Sequence, residues 1–153
     1  MEPPKQITPT RLNDYLEVLT KAVFESGMSW KVIEAKWPGF QAAFHDFDPE
    51  RIAGMTPDEV DALTNDTRIV RNRRKIESTI HNAGTMIDLD QEYGGFKQYL
   101  GSQGEFWAQV ADMRKRFKHV GDFGAYYFLY VVGEPVPEHE EFRAKLLEGG
   151  KKG

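Results

Sequence analysis

Residues 117–133, FKHVGDFGAYYFLYVVG, join a basic turn to an apolar segment rich in aromatic side chains. Gly121 would let the backbone approach another molecule closely, because glycine carries no side chain. If residues 122–132 form a helix, its free first-turn amides and its dipole favour an anion in front of it. Lys118 adds positive charge beside the turn. The segment is therefore predicted to hold a phosphate group, with a plain turn between two helices as the alternative.

The secondary structure of residues 122–132 is ambiguous when the segment is taken alone, because aromatic and β-branched residues favour strands. The alternation typical of strands is nearly absent elsewhere, and a lone strand has no partner to pair with. Leu12, Leu16, Leu19 and Val23 instead recur at helical spacing. The chain is therefore predicted to be all-α, and residues 122–132 are predicted to form a buried helix.

Capping and breaking residues predict where several helices begin and end. Asp48 and Thr56 each precede a proline, which is typical of a helix N-terminus. Gly27 is expected to end the first long helix, and Ser29 to begin the next. Pro38 is expected to interrupt that second helix, because proline lacks the amide hydrogen that a helix interior uses.

The composition is that of a folded globular protein, with 40% hydrophobic and 29% charged residues in a chain of 153. We expect a flexible arm at residues 1–9, one helical domain at residues 10–148 and a disordered tail at residues 149–153. No apolar run reaches the roughly 18 residues of a membrane span. The polar beginning, MEPPKQITPT, does not resemble a signal peptide. The expected location is the cytoplasm, without a membrane partner.

The formal net charge of −4 counts against a protein devoted to binding nucleic acid. The basic side chains are nevertheless concentrated in two segments, RIVRNRRK at 68–75 and RKRFK at 114–118. Acidic side chains crowd residues 46–66 and 134–148. This distribution predicts one positively charged face.

The turn itself follows the helix–hairpin–helix pattern of DNA-binding proteins. Val120, Gly121 and Ala125 match that pattern, and Gly124 stands where a small residue is required. His119 replaces the first glycine of the pattern. Lys118, His119, Val120 and Gly121 are therefore the predicted DNA-binding residues of the hairpin.

Residues 25–83 resemble the DNA-3-methyladenine glycosylase I family. The matches include SGMSW at 26–30, AFHDFD at 43–48 and IVRNRRKI at 69–76. The resemblance returns at 117–133 and covers roughly half of the chain. It implies a two-lobed, all-α DNA glycosylase fold with a helix–hairpin–helix motif.

The resemblance also implies an activity, which is excision of 3-methyladenine from double-stranded DNA after the base is flipped into a pocket. Trp30 matches the tryptophan of the family that stacks on the base. Alkylated adenine is a cation, so aromatic faces attract it. Tyr126 is a further candidate for the pocket, with Tyr15, Phe24 and Tyr127 as alternatives.

Arg71 and Arg73 are predicted to contact DNA phosphates, which would give affinity without sequence choice. The alternative for Arg71 is a buried ion pair with Asp66.

Two carboxylates are candidates for chemistry. Ala22 stands where the family has its base-recognising glutamate, and Glu25, one turn later on the same helix, could reach the same pocket. Glu138 is a candidate general base. The alternatives are a solvent-exposed helix-end carboxylate for Glu25 and a helix N-terminal carboxylate for Glu138.

The family's structural zinc site is not expected here. His139 aligns with its later histidine, but the chain has no cysteine and begins too late to hold the N-terminal ligands. We therefore expect no metal and no cofactor.

The leading interpretation is a monomeric, monofunctional DNA glycosylase that acts on alkylated purines. The alternative is a catalytically inactive helix–hairpin–helix relative that binds DNA. A third hypothesis is a helical interaction protein that uses the same scaffold.

Overall fold

The computed structural model describes the backbone of residues 3–152 and the side chains of residues 3–148. The helices in this part of the chain are α1 (Leu12–Glu25), α2 (Trp30–Ala43), α3 (Pro49–Ala53), α4 (Pro57–Thr64), α5 (Arg73–Tyr93), α6 (Phe96–Ser102), α7 (Phe106–Arg116), α8 (Asp122–Val131) and α9 (His139–Lys152). A short 3-10 turn, His45–Phe47, joins α2 to α3. Residues 3–152 contain no strand, so the predicted all-α class is confirmed and residues 122–131 are helical.

The predicted capping residues begin their helices. The Asp48 carboxylate accepts a hydrogen bond from the backbone amide of Glu50 at 3.1 Å, at the start of α3. At the start of α4, the Thr56 hydroxyl accepts from the amide of Glu59, and the Glu59 carboxylate accepts from the amide of Thr56, both at 3.2 Å. Such reciprocal bonds satisfy amides that have no partner inside the helix.

Helix α2 continues past Pro38 to Ala43, so the predicted interruption is wrong. The rings of Trp37 and Phe40 stack with their centres 4.9 Å apart, and Phe40 stacks on Phe44 at 6.2 Å. All three rings are buried. Burial of this aromatic face offsets the local cost of proline in a helix, which is about 3 kcal/mol.

Helix α1 lies at the centre of the packing and contacts α2, α5 and α8. Its Leu16, Leu19 and Val23 side chains are fully buried, as their spacing predicts. The long helix α5 contacts α1, α3, α4 and α6, and α7 packs against α8 to form the hairpin. A single continuous apolar core therefore connects the helices that carry the site described below.

The segment before α1 is attached to the domain. The backbone amide of Ile7 donates to the carbonyl of Val131 at 2.8 Å, and the Gln6 side chain donates to the carbonyl of Tyr130 at 3.0 Å. Residues 1, 2 and 153 lie outside the described residues. Helix α9 extends to Lys152, which includes most of the segment predicted as a tail. No helix among the described residues is long and apolar enough to cross a membrane.

Candidate active site and nucleic-acid interface

The hairpin turn, residues 117–121, leaves the start of α8 open to solvent. Gly121 precedes α8, and its φ of −99° is available to any residue. A Cβ atom built on Gly121 would meet no atom within 4 Å. The fold itself therefore does not require glycine there, and the missing side chain leaves the start of α8 uncovered.

His119 adopts a left-handed backbone conformation, with φ of 59°. Glycine is favoured in this region, which explains why the hairpin pattern has glycine at this position. The Nδ1 atom of His119 lies 2.7 Å from the hydroxyl of Ser78 on α5. Burial, together with the positive charges of Arg74 and Lys75, lowers the pKa of His119.

Asn82, one turn after Ser78 on α5, also bonds the hairpin turn. Its side-chain amide donates to the carbonyl of Lys118 at 3.0 Å, and its oxygen accepts from the amide of Lys118 at 2.8 Å. Asn82 is buried, with 1% of its surface exposed. Asn82 lies within the segment that resembles the family, but no local pattern indicates its role, because its partner lies 36 residues away.

A cleft of about 870 Å³ opens next to the turn. It is bounded by α1, α8, the first residue of α9 and the segment before α1. Its lining residues are mainly aromatic and small, namely Pro3, Pro4, Ala22, Glu25, Ser26, Gly27, His119, Gly121, Asp122, Phe123, Gly124, Tyr126, Tyr127, Tyr130 and His139. Such a concave, largely apolar lining with few polar groups is typical of a ligand site.

Glu25, the last residue of α1, has a pKa well above that of an ordinary carboxyl group. Its burial raises the pKa to about 7; Lys21 opposes this rise, and the negative charge of Glu34 adds to it. Lys21 forms an ion pair with Glu34, so its charge is shared. Glu25 can therefore gain or lose a proton near neutral pH, as general acids and bases do.

Tyr127 faces the same part of the cleft. Burial is the main cause that raises the pKa of its hydroxyl, and the negative charge of Glu25 raises it further. The hydroxyl therefore stays neutral at physiological pH and is available as a hydrogen-bond donor.

Lys75 is a structural residue, although it belongs to the basic segment at 68–75. It is buried, with 6% of its surface exposed, and its ammonium group donates to the carbonyls of Phe24 and Ser26. These carbonyls end α1, so Lys75 fixes the part of the chain that carries Glu25. Burial lowers the pKa of Lys75.

The other predicted pocket residues lie apart from the cleft lining. Trp30 begins α2 and is 47% exposed, with the Lys31 ammonium 6.0 Å from its ring centre. Glu138 is exposed immediately before α9, where its carbonyl accepts from the amide of Phe142. The structure thus brings Glu25 and Tyr126 together in one cleft and leaves Trp30 and Glu138 outside its lining.

The predicted phosphate contacts differ in their surroundings. Arg71 is exposed and has no ion pair within the described part of the chain, whereas Arg73 is paired with Asp61 at 2.9 Å and Glu77 at 3.2 Å. The alternative pairing of Arg71 with Asp66 is wrong, because Asp66 pairs with Arg68 at 2.7 Å.

Within the turn, Lys118 is exposed, but Val120 is buried in the core. Asp122 would repel a phosphate at the start of α8, but its carboxylate is paired with Arg114 at 3.1 Å. The charge of Asp122 is thereby largely compensated.

The residues present do not fit a zinc ion. The chain has no cysteine, and residues 3–148 contain no group of three or more histidine, aspartate or glutamate side chains placed to hold a metal ion. The ring of His139 instead packs near Tyr126 and Phe142, with ring centres 5.6 and 6.4 Å away.

Comparison with known proteins agrees with this architecture. The family model of methyladenine glycosylases matches residues 10–119. DNA-3-methyladenine glycosylase 1 of Escherichia coli strain K12 is 33% identical over 78 residues, which cover 51% of this chain and 42% of that protein. The matched segment therefore spans less than half the length of this relative.

Solved structures extend the similarity over most of the fold. A crystal structure of 3-methyladenine DNA glycosylase I superposes with a TM-score of 0.73 and 28% identity, covering 83% of this chain and 81% of that one. The Staphylococcus aureus protein, whose structure concerns recognition of 3-methyladenine, gives a TM-score of 0.72 at 25% identity, covering 86% and 79%. The predicted DNA glycosylase fold is thus confirmed. Since the family model matches well over half of its residues, the chain belongs to the methyladenine glycosylase family.

Proposed function

We propose that this chain is a DNA glycosylase of base-excision repair, which hydrolyses the N-glycosidic bond of 3-methyladenine and related alkylated purines. The observation that carries the proposal is the half-buried carboxyl group of Glu25 in an aromatic cleft beside the hairpin. The names of the similar proteins support the same activity.

The hairpin would hold the DNA while the damaged base leaves the duplex. Flipping a base out costs a few kcal/mol, which contacts to the backbone must offset. The exposed amides around Gly121 suit a phosphate, and Lys118 adds an exposed positive charge to the same turn. Of the other predicted contacts, Arg71 is available, whereas Arg73 would first have to leave its two carboxylates.

The cleft would recognise the flipped base through its positive charge. The faces of Phe123, Tyr126 and Tyr127 attract a cation more strongly than a neutral base. A cation beside Glu25 favours the ionised form of this carboxyl group, so recognition and ionisation support each other. Trp30 follows shortly after the cleft residues Ser26 and Gly27, and its stacking on the base stays a prediction.

Hydrolysis needs little acid catalysis, because the alkylated base already carries the positive charge that its departure neutralises. Water adds to the sugar carbon as the glycosidic bond breaks, and ionised Glu25 accepts the proton that the water loses. Glu138 is the less favoured base, since it lies outside the cleft lining. The described lining contains no lysine that could form a covalent imine, which supports a monofunctional enzyme.

The enzyme would act as a monomer in the cytoplasm, on double-stranded DNA, without a metal or cofactor.

Release of free base from methylated duplex DNA tests the proposal. We expect the wild type to release 3-methyladenine, with kcat/KM, which reports the free enzyme, rising as pH increases through about 7. Glu25→Gln should lower kcat/KM by about 100-fold or more and remove this pH dependence, with the affinity for undamaged DNA unchanged. Glu92→Gln, an exposed change at the end of α5, is the matched control. No base release at high enzyme concentration would overturn the proposal.

A second candidate is an inactive relative that only binds DNA. It is favoured by Ala22, which lines the cleft where the family resemblance places a glutamate. Salt-dependent DNA binding without base release would establish this alternative.

A further inference from the structure

A separate groove of about 480 Å³ lies between the start of α5 and the hairpin turn, lined by Arg74, Glu77, Ser78, Lys118 and His119. Arg74 and Lys118 are exposed, and neither side chain has a carboxylate partner among residues 3–148. Glu77 also faces the groove, but its carboxylate accepts a hydrogen bond from Arg73 at 3.2 Å. The groove therefore carries a net positive charge.

The guanidinium of Arg74 has no partner within the described part of the chain. The first turn of α5 contains Arg73, Arg74 and Lys75 and no acid, although a helix dipole disfavours cations at this end. Lys75 bonds the end of α1, and Arg73 pairs with Asp61 and Glu77. The guanidinium of Arg74 makes no hydrogen bond or ion pair in the described structure, so it lies at the groove as an unpaired cation.

Hydrogen bonds to α5 hold the hairpin residues of this groove in place. His119 is held by the Ser78 hydroxyl at 2.7 Å, and both backbone groups of Lys118 are bonded to Asn82. A rigid turn loses little conformational entropy when it binds, which favours contact with a defined partner.

Three depressions meet at His119. One is the groove of Arg74 and Lys118, and the second is the aromatic cleft. The third, of about 600 Å³, lies on the hairpin and is lined by Arg114, Lys115 and the backbone around Gly121. The base site is thus flanked by positive charge from α5 and from α7.

We propose that Arg74 and Lys118 form a second phosphate site, which binds the same DNA strand as the Gly121 amides on the other side of the flipped nucleotide. The protein would then hold the DNA backbone at two points, one on each side of His119. The nucleotide between these two points would enter the cleft. This proposal rests on the function proposed above. Its ligand is a phosphodiester, and its two cations suit the phosphate oxygens because each donates charge-assisted hydrogen bonds.

The salt dependence of DNA affinity tests this site. We would measure binding of the wild type to a duplex with a stable abasic analogue, by fluorescence anisotropy, at salt concentrations from about 50 to 200 mM. The double variant Arg74→Ala, Lys118→Ala should reduce the slope of log affinity against log salt by about one. At the lowest salt its affinity should be several-fold weaker.

The matched control is the double variant Arg51→Ala, Lys97→Ala, which removes the same charge from exposed sites on α3 and α6 outside all three depressions. It should keep the wild-type slope. Circular dichroism would establish that both variants fold, which we expect because all four side chains are exposed.

The outcomes separate this site from the proposed function. Suppose that the wild type releases base but the Arg74→Ala, Lys118→Ala variant keeps the wild-type salt slope, or that the control variant shows an equal reduction of this slope. Either result overturns the second phosphate site and leaves the proposed function standing. If the wild type neither binds DNA nor releases base, both proposals fail.

Discussion

Glu25 illustrates how one residue obtains its chemistry from its neighbours. The carboxyl group belongs to the last turn of α1, where Lys75 holds the backbone, and it is half buried in a cleft with aromatic walls. A carboxyl group in such surroundings keeps its proton to a higher pH, because burial disfavours the charged form. When a cationic base enters the cleft, its positive charge favours loss of this proton, so that Glu25 becomes ionised beside the base.

The raised pKa of Glu25 predicts a change of stability with pH. The folded chain binds this proton more tightly than the unfolded chain, because the pKa rises from 4.5 to about 7 on folding. The resulting stabilisation is fully present below pH 4.5 and is lost as pH rises through about 7. Solvent screening of a half-buried group limits it to about 1 kcal/mol.

Urea unfolding at pH 5 and pH 8 measures this contribution. We expect the free energy of unfolding of the wild type to fall by about 1 kcal/mol more than that of Glu25→Gln over this interval. Parallel profiles for the two proteins would show that Glu25 keeps an ordinary pKa.

At the scale of elements, α5 aligns the cleft with the DNA-binding turn. Lys75, Ser78 and Asn82 are spaced by three and four residues, so they share one face of the helix. Lys75 bonds the end of α1, Ser78 bonds His119 and Asn82 bonds Lys118. One rigid helix therefore sets the position of Glu25 relative to the hairpin.

The contact between α2 and the loop before α5 predicts a large difference between two glycine substitutions. A Cβ on Gly39 would lie 2.3 Å from the carbonyl oxygen of Arg68, whereas a Cβ on Gly84, inside α5, would meet no atom within 4 Å. Gly39→Ala should therefore destabilise the chain by about 2 kcal/mol or more. Gly84→Ala should stabilise it by about 0.5–1 kcal/mol, because alanine favours helices.

Thermal or urea unfolding of the two variants gives the comparison directly. Equal stabilities for Gly39→Ala and Gly84→Ala would mean that α2 does not approach Arg68 as described.

Features encoded over a few residues were predictable from the sequence. The starts of α3 and α4 depend on Asp48 and Thr56, whose partners are two or three residues away. Glu25 was predicted to share the pocket because it follows Ala22 by three residues on α1, and both line the cleft.

Features that depend on distant partners were not predictable in this way. The inward position of Lys75 requires carbonyls 49 and 51 residues away. The continuation of α2 past Pro38 depends on ring stacking that extends to Phe44. The solvent-exposed position of Trp30 follows from the path of the loop after Gly27, which no local pattern specifies.

At the scale of the whole molecule, aromatic packing attaches α9 to the domain. Phe142 is fully buried, and its ring lies against Phe106, Trp107, Phe123 and Tyr126, with centres 4.4–5.9 Å apart. The hydroxyl of Tyr126, which also lines the cleft, donates to the carbonyl of Pro137 at 2.7 Å. The packing of α9 is thus linked to the cleft through Tyr126.

This arrangement predicts that side-chain packing, and not a metal, maintains α9. Phe142→Ala should lower the free energy of unfolding by about 3–5 kcal/mol, because it opens a cavity among packed rings. Leu147→Ala on the same helix, where the side chain is 66% exposed, should change it by less than about 0.5 kcal/mol.

Differential scanning calorimetry with and without a chelator completes this test. We expect the same Tm in both conditions. A lower Tm with chelator would reveal a stabilising metal, and a small effect of Phe142→Ala would show that the aromatic cluster is not what holds α9.

The positions of the three indole rings give the protein an internal optical reporter. Trp37 is buried and Trp107 is partly buried in the aromatic cluster of α9, whereas Trp30 projects into solvent at the start of α2. A soluble collisional quencher such as iodide will therefore reach chiefly the emission of Trp30. Shielding of that emission when a duplex is added would report, without any label, whether this corner of the molecule meets the nucleic acid.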